Sequence, residues 1–342
     1  MLKIDCSILE GGGQIIRNCI AYSAILKKPI ELYNIRGNRT KPGLQLQHAT
    51  GVDLLRRMTN AEVSGITKDS MQVTFAPRDI KSGVFTAVIP TAGSCTLLSQ
   101  ISLPVALFAD GNTCFTLKGG TNVPMSPPAQ YLREVLIPTI KRFNNHIDIV
   151  LTVEKHGFMP SGGGRLLVSV KPLPLGEKLK PIDLTFRGSI TYIEIHLSGI
   201  CNNTFTKQIE DWADKKQFNL KTNVILVDVN KGQISMTAVL HTDTGLVFGT
   251  SVLGGKKTTA ERMTSIMEKQ IQKIQEDAAC VDEYLQDQLI IFMALADKPS
   301  QIRCGKITLH TTTAIHFAEQ MTGVKFNIQE LHDGTNVIST QM

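Results

Sequence analysis

A histidine beside a helix start can attack phosphorus, and residues 306–321, KITLHTTTAIHFAEQM, offer one. The β-branched stretch over 306–309 and the amphipathic pattern from 312 predict a strand running into a helix, with His310 and the hydroxyls of Thr311, Thr312 and Thr313 at the turn. Backbone N–H groups point outward at a helix N-terminus and favour an anion, so a phosphate docked there would meet the imidazole. From this stretch alone, the plainer reading of His310 as a satisfied polar residue at a strand end stays open. Two other stretches could handle phosphate. Glu10-Gly11-Gly12-Gly13-Gln14 follows an apolar strand, and three glycines let backbone approach a ligand or another part of the chain, although neither GxGxxG nor the P-loop pattern is present. Arg36-Gly37-Asn38-Arg39-Thr40-Lys41-Pro42-Gly43 holds three cations in a loop restricted by proline and glycine, which suits phosphate oxygens and also suits a solvated face.

Groups so far apart in sequence need a scaffold that brings them together. A strand over 2–5 is followed by a helix with Ile15, Ile16, Cys19, Ile20 and Ala24 on its apolar side, then a strand over 29–35, a helix carrying Gln47 and His48, and strands over 61–66 and 71–75. The order helix, strand, helix, strand, strand recurs from about residue 93, with strands over 112–117, 147–153 and 165–170 and a helix over 127–143. It recurs again late in the chain, in helices over 282–296 and 312–321 and strands over 306–309, 324–328 and 336–339. Such self-similarity points to copies of one α/β unit. Between the last two copies, residues 183–276 alternate strands over 189–197, 224–229, 235–241 and 245–251 with helices over 206–218 and 259–274, behind a proline-rich hinge at 171–181. The expectation is a larger domain of residues 1–182 and 277–342 with a smaller inserted α/β domain, 183–276.

Composition narrows the function classes. With 342 residues, 42% hydrophobic and 19% charged, the chain matches a soluble globular protein of more than one domain. No apolar run reaches the roughly 20 residues that cross a bilayer, and a basic stretch followed by an apolar leader is missing, so we expect an intracellular protein without membrane association. Seven cysteines scattered singly, without a CxxC pair, agree with a reducing compartment and argue against zinc. A net charge of +6 permits an anionic partner without requiring one. The sequence sets no oligomeric state.

Seven segments, in order, carry a resemblance: EGGGQIIR, KPGLQLQH, AGSCTLLSQ, KGGTNVPMSPP, HGFMPSGGG, DEYLQDQL and LHTTTAIHFAEQ. Together they resemble the RNA 3′-terminal phosphate cyclases and cover nearly the whole chain, the 183–276 segment least distinctively. The resemblance implies a large domain of three repeated βα units, each a four-stranded sheet plus two helices, related to the enolpyruvyl transferases. It implies ATP-dependent conversion of an RNA 3′-phosphate to a 2′,3′-cyclic phosphodiester through a histidine–AMP and RNA(3′)pp(5′)A, with ATP and a divalent metal, Mg²⁺ or Mn²⁺. His310 aligns with the family's active-site histidine. Gln100, Pro127, Tyr284, Leu285, Gln286, Asp287 and Gln288 fall in the nucleotide pocket, Arg17, Arg36, Arg39 and His48 where phosphate or the RNA end is bound, and Glu10 at the metal. The remaining histidines are expected to be structural. Resemblance to animal members implies residence in the nucleus, in the nucleoplasm.

Two departures stand out: Cys6 where a glycine is common, and Gly37-Asn38 where alanine-glycine is usual. Three rivals remain. A non-catalytic branch of the family lacks the histidine that is His310 here. An enolpyruvyl-type transferase would not need DEYLQDQ or a nucleophilic histidine. A plain RNA-binding module would need no ATP pocket.

Overall fold

Parallel neighbours in a sheet require a crossover, and in the first two sheets that crossover is a helix buried almost all round. The computed structural model describes residues 1–226 and 233–341. β1 (Leu2–Asp5) lies parallel to β2 (Ile30–Tyr33) across the crossover helix α1 (Gly13–Leu26). Helix α2 (Leu46–Thr59) leads to β3 (Glu62–Ser64) and β4 (Val73–Ala76), and β4 inserts antiparallel between β2 and β3, giving the order β1-β2-β4-β3.

The second sheet repeats this pairing. β5 (Gly83–Val88) is parallel to β6 (Thr113–Gly119) across α3 (Cys95–Ala106), and β7 (Asp148–Lys155) and β8 (Gly164–Lys171) complete the order β5-β6-β8-β7. Its second helix is a continuous run of α4 (Ala129–Tyr131), a π-helical stretch (Leu132–Leu136) and α5 (Ile137–Lys141). Pro138 sits at the start of α5 and brings no N–H for the carbonyl one turn back, which accounts for the widened turn before it.

After β9 (Asp183–Leu184) the chain makes a different sheet, order β11-β10-β12-β13, from β10 (Ile190–Cys201), β11 (Asn219–Leu226), β12 (Gln233–Thr242) and β13 (Val247–Gly254). Helices α6 (Asn203–Lys215) and α7 (Ala260–Glu276) pack on each other and on this sheet. The chain then returns through α8 (Leu285–Leu295), β14 (Gln301–Cys304), α9 (Leu309–Thr322), β15 (Lys325–Glu330) and β16 (Asn336–Gln341). β14 pairs in parallel with β9 and antiparallel with β16, so the order β9-β14-β16-β15 matches the first two sheets.

The structure corrects several sequence expectations. No strand occupies 306–309: the strand is β14, five residues earlier, and His310 lies inside the first turn of α9 behind its N-cap, Thr308. β5 and β9, the opening strands of two sheets, were not expected, and Asp183–Leu184 belong by pairing with residues 301–302 rather than with the segment that follows. The strand expected over 224–229 is β11, and residues 227–229 lie outside the described residues. Helices α1, α3, α8 and α9 form the packed centre: α1 touches α2, α3 and α9, and α8 touches α9 and α3. Among the described residues no helix is long and apolar enough to cross a membrane.

Candidate active site

A helix buried on nearly every side has few places for polar residues, and α1 keeps three of them, Gln14, Arg17 and Asn18, on one face at spacings of three and four. That face looks onto a cleft enclosing about 420 Å³ of space open to solvent, with α3 and α8 opposite. Gln14, Arg17, Asn18, Gln100, Asp287 and Gln288 make its polar side, and leucine, isoleucine and phenylalanine side chains from α3, α5, α8 and the π-helical stretch make most of the rest. A concave, mostly apolar site with a few convergent polar groups is what a small organic ligand needs. Pro104 lines it too, and as a proline within α3 it leaves the Gln100 carbonyl without its helical N–H partner.

His310 is not part of the cleft lining and is tied to it through Gln14, which is. Gln14, only 4% exposed, donates Nε2–H to Oδ2 of Asp287 at 2.6 Å, and its Oε1 lies 3.1 Å from Nδ1 of His310. The His310 ring is exposed, and its Nε2 makes no hydrogen bond among the described residues. Burial pushes the Asp287 carboxyl up to about 7, against the pull of the Arg17 guanidinium. Arg17 itself forms no direct hydrogen bond or ion pair among the described residues. Burial lowers its pKa, while Asp287 and then Glu10 raise it; a guanidinium stays cationic throughout. The threonine hydroxyls do not crowd the imidazole as the sequence suggested. Thr312 and Thr313 bond back to the Thr308 and Leu309 carbonyls at 3.2 and 2.7 Å, and Thr313 Oγ1 also accepts the Glu10 N–H at 3.2 Å, docking the glycine turn onto α9.

That docking explains the glycines. A Cβ on Gly12 would sit well inside van der Waals contact of the Glu10 carboxylate, and one on Gly13 would do the same to Nε2 of His48. The turn is bare so that an acid and an imidazole can press against the start of α1. Arg39 holds Glu10 by an ion pair from Nη2 to Oε1 and by a second bond to the Glu10 carbonyl at 2.6 Å. Among the described residues, Glu10 Oε2 is buried with no partner, as is Nε of Arg36, whose Nη2 donates to the Lys41 carbonyl at 3.1 Å. Burial, then Arg39, lowers the Arg36 pKa. His48 Nδ1 accepts the Gln45 N–H at 3.4 Å, which puts its proton on Nε2; burial, then Arg17 and Arg36, push its pKa down to about 3, so it is a neutral donor. Arg17, Arg36, Arg39, His48 and Glu10 therefore gather where the glycine turn, the basic loop and α2 meet.

The DEYLQDQ segment divides by helical phase. Asp287 and Gln288 line the cleft, with Gln100 Nε2 donating to Gln288 Oε1 at 2.7 Å. Leu285 is in the core, and Gln286, also buried, reaches only toward the Lys306 carbonyl at 3.5 Å; neither lines the cleft. Tyr284 is 38% exposed and meets Tyr131 edge-on at 5.9 Å, and burial of its ring pushes its hydroxyl up to about 12. Pro127 lies outside the cleft lining, half-buried, its carbonyl accepting from Thr96 Oγ1 at 2.8 Å. The turn into α8 is anchored by Asp282, which accepts from Tyr131 Oη at 2.6 Å, the Tyr284 and Leu285 N–H groups at 3.0 and 2.9 Å, and, across to β13, the Gly249 N–H at 2.8 Å. Burial still raises its pKa to about 6.

A family model described as RNA 3′-terminal phosphate cyclase matches residues 8–328. The chain belongs to the RNA 3′-terminal phosphate cyclase family. It is 38% identical over 352 residues to an RNA 3′-terminal phosphate cyclase of Drosophila melanogaster, covering 99% of this chain and 96% of that one. It is 37% identical over 337 residues to one from Desulfurococcus amylolyticus, covering 92% and 90%. A third, from Pyrobaculum aerophilum, is 33% identical over 335 residues, covering 96% and 95%.

Within this cyclase-family chain, both departures from the usual pattern have local partners. Cys6 is fully buried, and burial pushes its thiol up to about 12, so it packs as a small apolar side chain. Asn38 ties the basic loop to the Ser7 carbonyl at 3.0 Å, and Gly37 closes a turn on the Asn34 carbonyl at 3.0 Å. The residue that sequence reasoning passed over is Gln14, the last letter of EGGGQ. Its spacing of three and four residues from Arg17 and Asn18, on the polar face of a mostly apolar helix, was the one available signal.

Proposed function

We propose that this chain converts RNA 3′-phosphate ends to 2′,3′-cyclic phosphodiesters at the expense of ATP, with His310 as nucleophile. The observation that carries this reading is the imidazole in the first turn of α9, exposed, engaged through Nδ1 and, among the described residues, unbonded at Nε2, with Gln14 linking it to a cleft that has an apolar wall and the Arg17 guanidinium in its lining. Nε2 attacks the α-phosphorus of ATP; a P–N bond forms and the P–O bond to pyrophosphate breaks. An oxygen of the RNA 3′-phosphate then takes AMP from the histidine, giving RNA(3′)pp(5′)A, whose leaving group is now AMP instead of oxide. The 2′-hydroxyl on the same sugar attacks the 3′-phosphorus, loses its proton and expels AMP, with proximity supplying most of the assistance.

Arg17, Arg36 and Arg39 neutralise phosphate charge, and His48 donates a neutral hydrogen bond. Gln100, Asp287 and Gln288 face the nucleotide, Tyr284 and Pro127 bracket adenine, and Leu285 and Gln286 support that wall from behind. A divalent metal fits Glu10: its Oε2 is a buried carboxylate oxygen with no partner among the described residues, a hard donor for Mg²⁺ or Mn²⁺. Among the described residues no three His, Cys, Asp or Glu side chains gather to hold a metal, so Glu10 would share the ion with substrate phosphates, where it offsets the charge of the leaving group.

We also read the three sheets of common order as copies of one βα unit, related to enolpyruvyl transferases, forming a large domain into which most of 183–276 is inserted. Nuclear residence is part of the same proposal. Incubation with ATP and Mg²⁺ should make an RNA 3′-phosphate resistant to phosphatase and leave a 3′-hydroxyl end unchanged. An unaltered 3′-phosphate would overturn the activity.

A further inference from the structure

We propose that Gln14 is a positioning residue that decides which nitrogen of His310 carries the proton, and that the carboxyl of Asp287 decides which way Gln14 faces. The proposal rests on His310 being the nucleophile and adds what makes its Nε2 available. A primary amide has one donating and one accepting end, and Gln14 is buried between two partners, Asp287 Oδ2 at 2.6 Å and His310 Nδ1 at 3.1 Å. An ionised carboxylate only accepts, so it takes the amide N–H. The amide oxygen then faces His310, and it too only accepts. Nδ1 must therefore carry the ring proton, which leaves the lone pair on Nε2, the nitrogen with no hydrogen bond among the described residues.

The chain of constraints also runs in reverse. With Asp287 protonated, its O–H can donate to Gln14 Oε1, the amide turns over, and its N–H donates to Nδ1. The ring proton then sits on Nε2, which can no longer attack. Charges around the carboxyl set the balance. Gln14 and Arg17 face it from α1, and Asp282, at the entry to its own helix, acts on it directly. Tyr131, from the run containing the π-helical stretch, feels Asp287, while His310 on α9 is reached through Gln14. Burial of the carboxyl outweighs Arg17, so both arrangements are accessible near neutral pH and the attacking one gains as pH rises.

The test is the His310 tautomer in the full-length protein, read by long-range ¹H–¹⁵N correlation after selective ¹⁵N-histidine labelling, with the His310 signals assigned by their loss in His310→Ala. At about pH 8 the wild type should carry its proton on Nδ1. Gln14→Met, which keeps length but has no amide, and Asp287→Asn, which can donate to Gln14, should each move the proton substantially to Nε2. Gln14→Glu, still an acceptor at the ring, should keep it on Nδ1. Transfer of AMP to the protein should slow about 10- to 100-fold in Gln14→Met with little change in KM for ATP, the range lost when a histidine's orienting partner is removed, and Gln14→Glu should recover part of it. A wild-type proton on Nε2, or an Nδ1 proton in both Gln14→Met and Asp287→Asn, overturns the proposal. If the tautomers behave as stated while His310→Ala still accepts AMP, the nucleophile assignment fails and the positioning by Gln14 stands.

Discussion

Replacing Asp287 by asparagine should make the protein less sensitive to pH, in a direction the site's electrostatics dictate. Burial raises the Asp287 carboxyl from 3.8 to about 7. A group with a raised folded pKa contributes stability that is complete below its unfolded value and is lost as pH climbs through the folded one. At ~1.4 kcal/mol per pKa unit, the full loss is about 4 kcal/mol, and about 2 to 3 kcal/mol of it falls between pH 5 and 8. Water in the open cleft screens part of this, so the working figure is about 2 kcal/mol. Asparagine does not titrate and keeps the volume. The urea midpoints of wild type and Asp287→Asn, followed by circular dichroism through this window, should therefore diverge, the variant gaining about 2 kcal/mol on the wild type as pH rises, with the m-value unchanged. A constant difference would mean that the carboxyl is not held in its protonated form by the fold. That constant difference is also the outcome if Arg17 wins over burial and holds the carboxyl ionised throughout the window, and the reasoning about this pair would then be wrong.

Gly13→Ala should fold and lose activity, about 100-fold in kcat/KM. Its Cβ would displace the His48 ring, tethered on its far side by Gln45, and wild-type-like kinetics would show that the bare turn is not required. Tyr131→Phe deletes one of four hydrogen bonds to buried Asp282; urea unfolding should register about 1 to 2 kcal/mol of lost stability, with a raised KM for ATP as Tyr284 loosens, and an unchanged stability would refute the anchor. His48, pushed down to about 3 by burial beside two arginines, should show no histidine midpoint between about pH 5 and 8 by NMR, whereas a midpoint near an ordinary histidine value would contradict its neutral role.

The helices and most strands were legible because their apolar periodicity is strong. What escaped did so for physical reasons. β9 is two residues long, and β5 alternates weakly, with Val84 and Val88 exposed. Lys306 to Leu309 has strand-like composition, yet Thr308 takes the Thr311 N–H on its hydroxyl and starts a helix there, a choice that local capping makes against β propensity. His310 and the basic loop were visible as residue types. Gln14 was not, because its partners lie 273 and 296 residues away, and only the packing of α1 against α9, with α8 alongside, brings the three together. In the DEYLQDQ segment the residue types were apparent and the division between cleft and core was not, since it depends on the phase of a helix with apolar residues on every side.

The central claim is that one imidazole carries AMP covalently. Incubating the protein with Mg²⁺ and ATP labelled in the α-phosphate should leave label on the wild-type chain that acid removes and alkali does not, and none on His310→Ala. Label on the alanine variant, or a wild type that cyclises RNA ends without ever acquiring label, would contradict it.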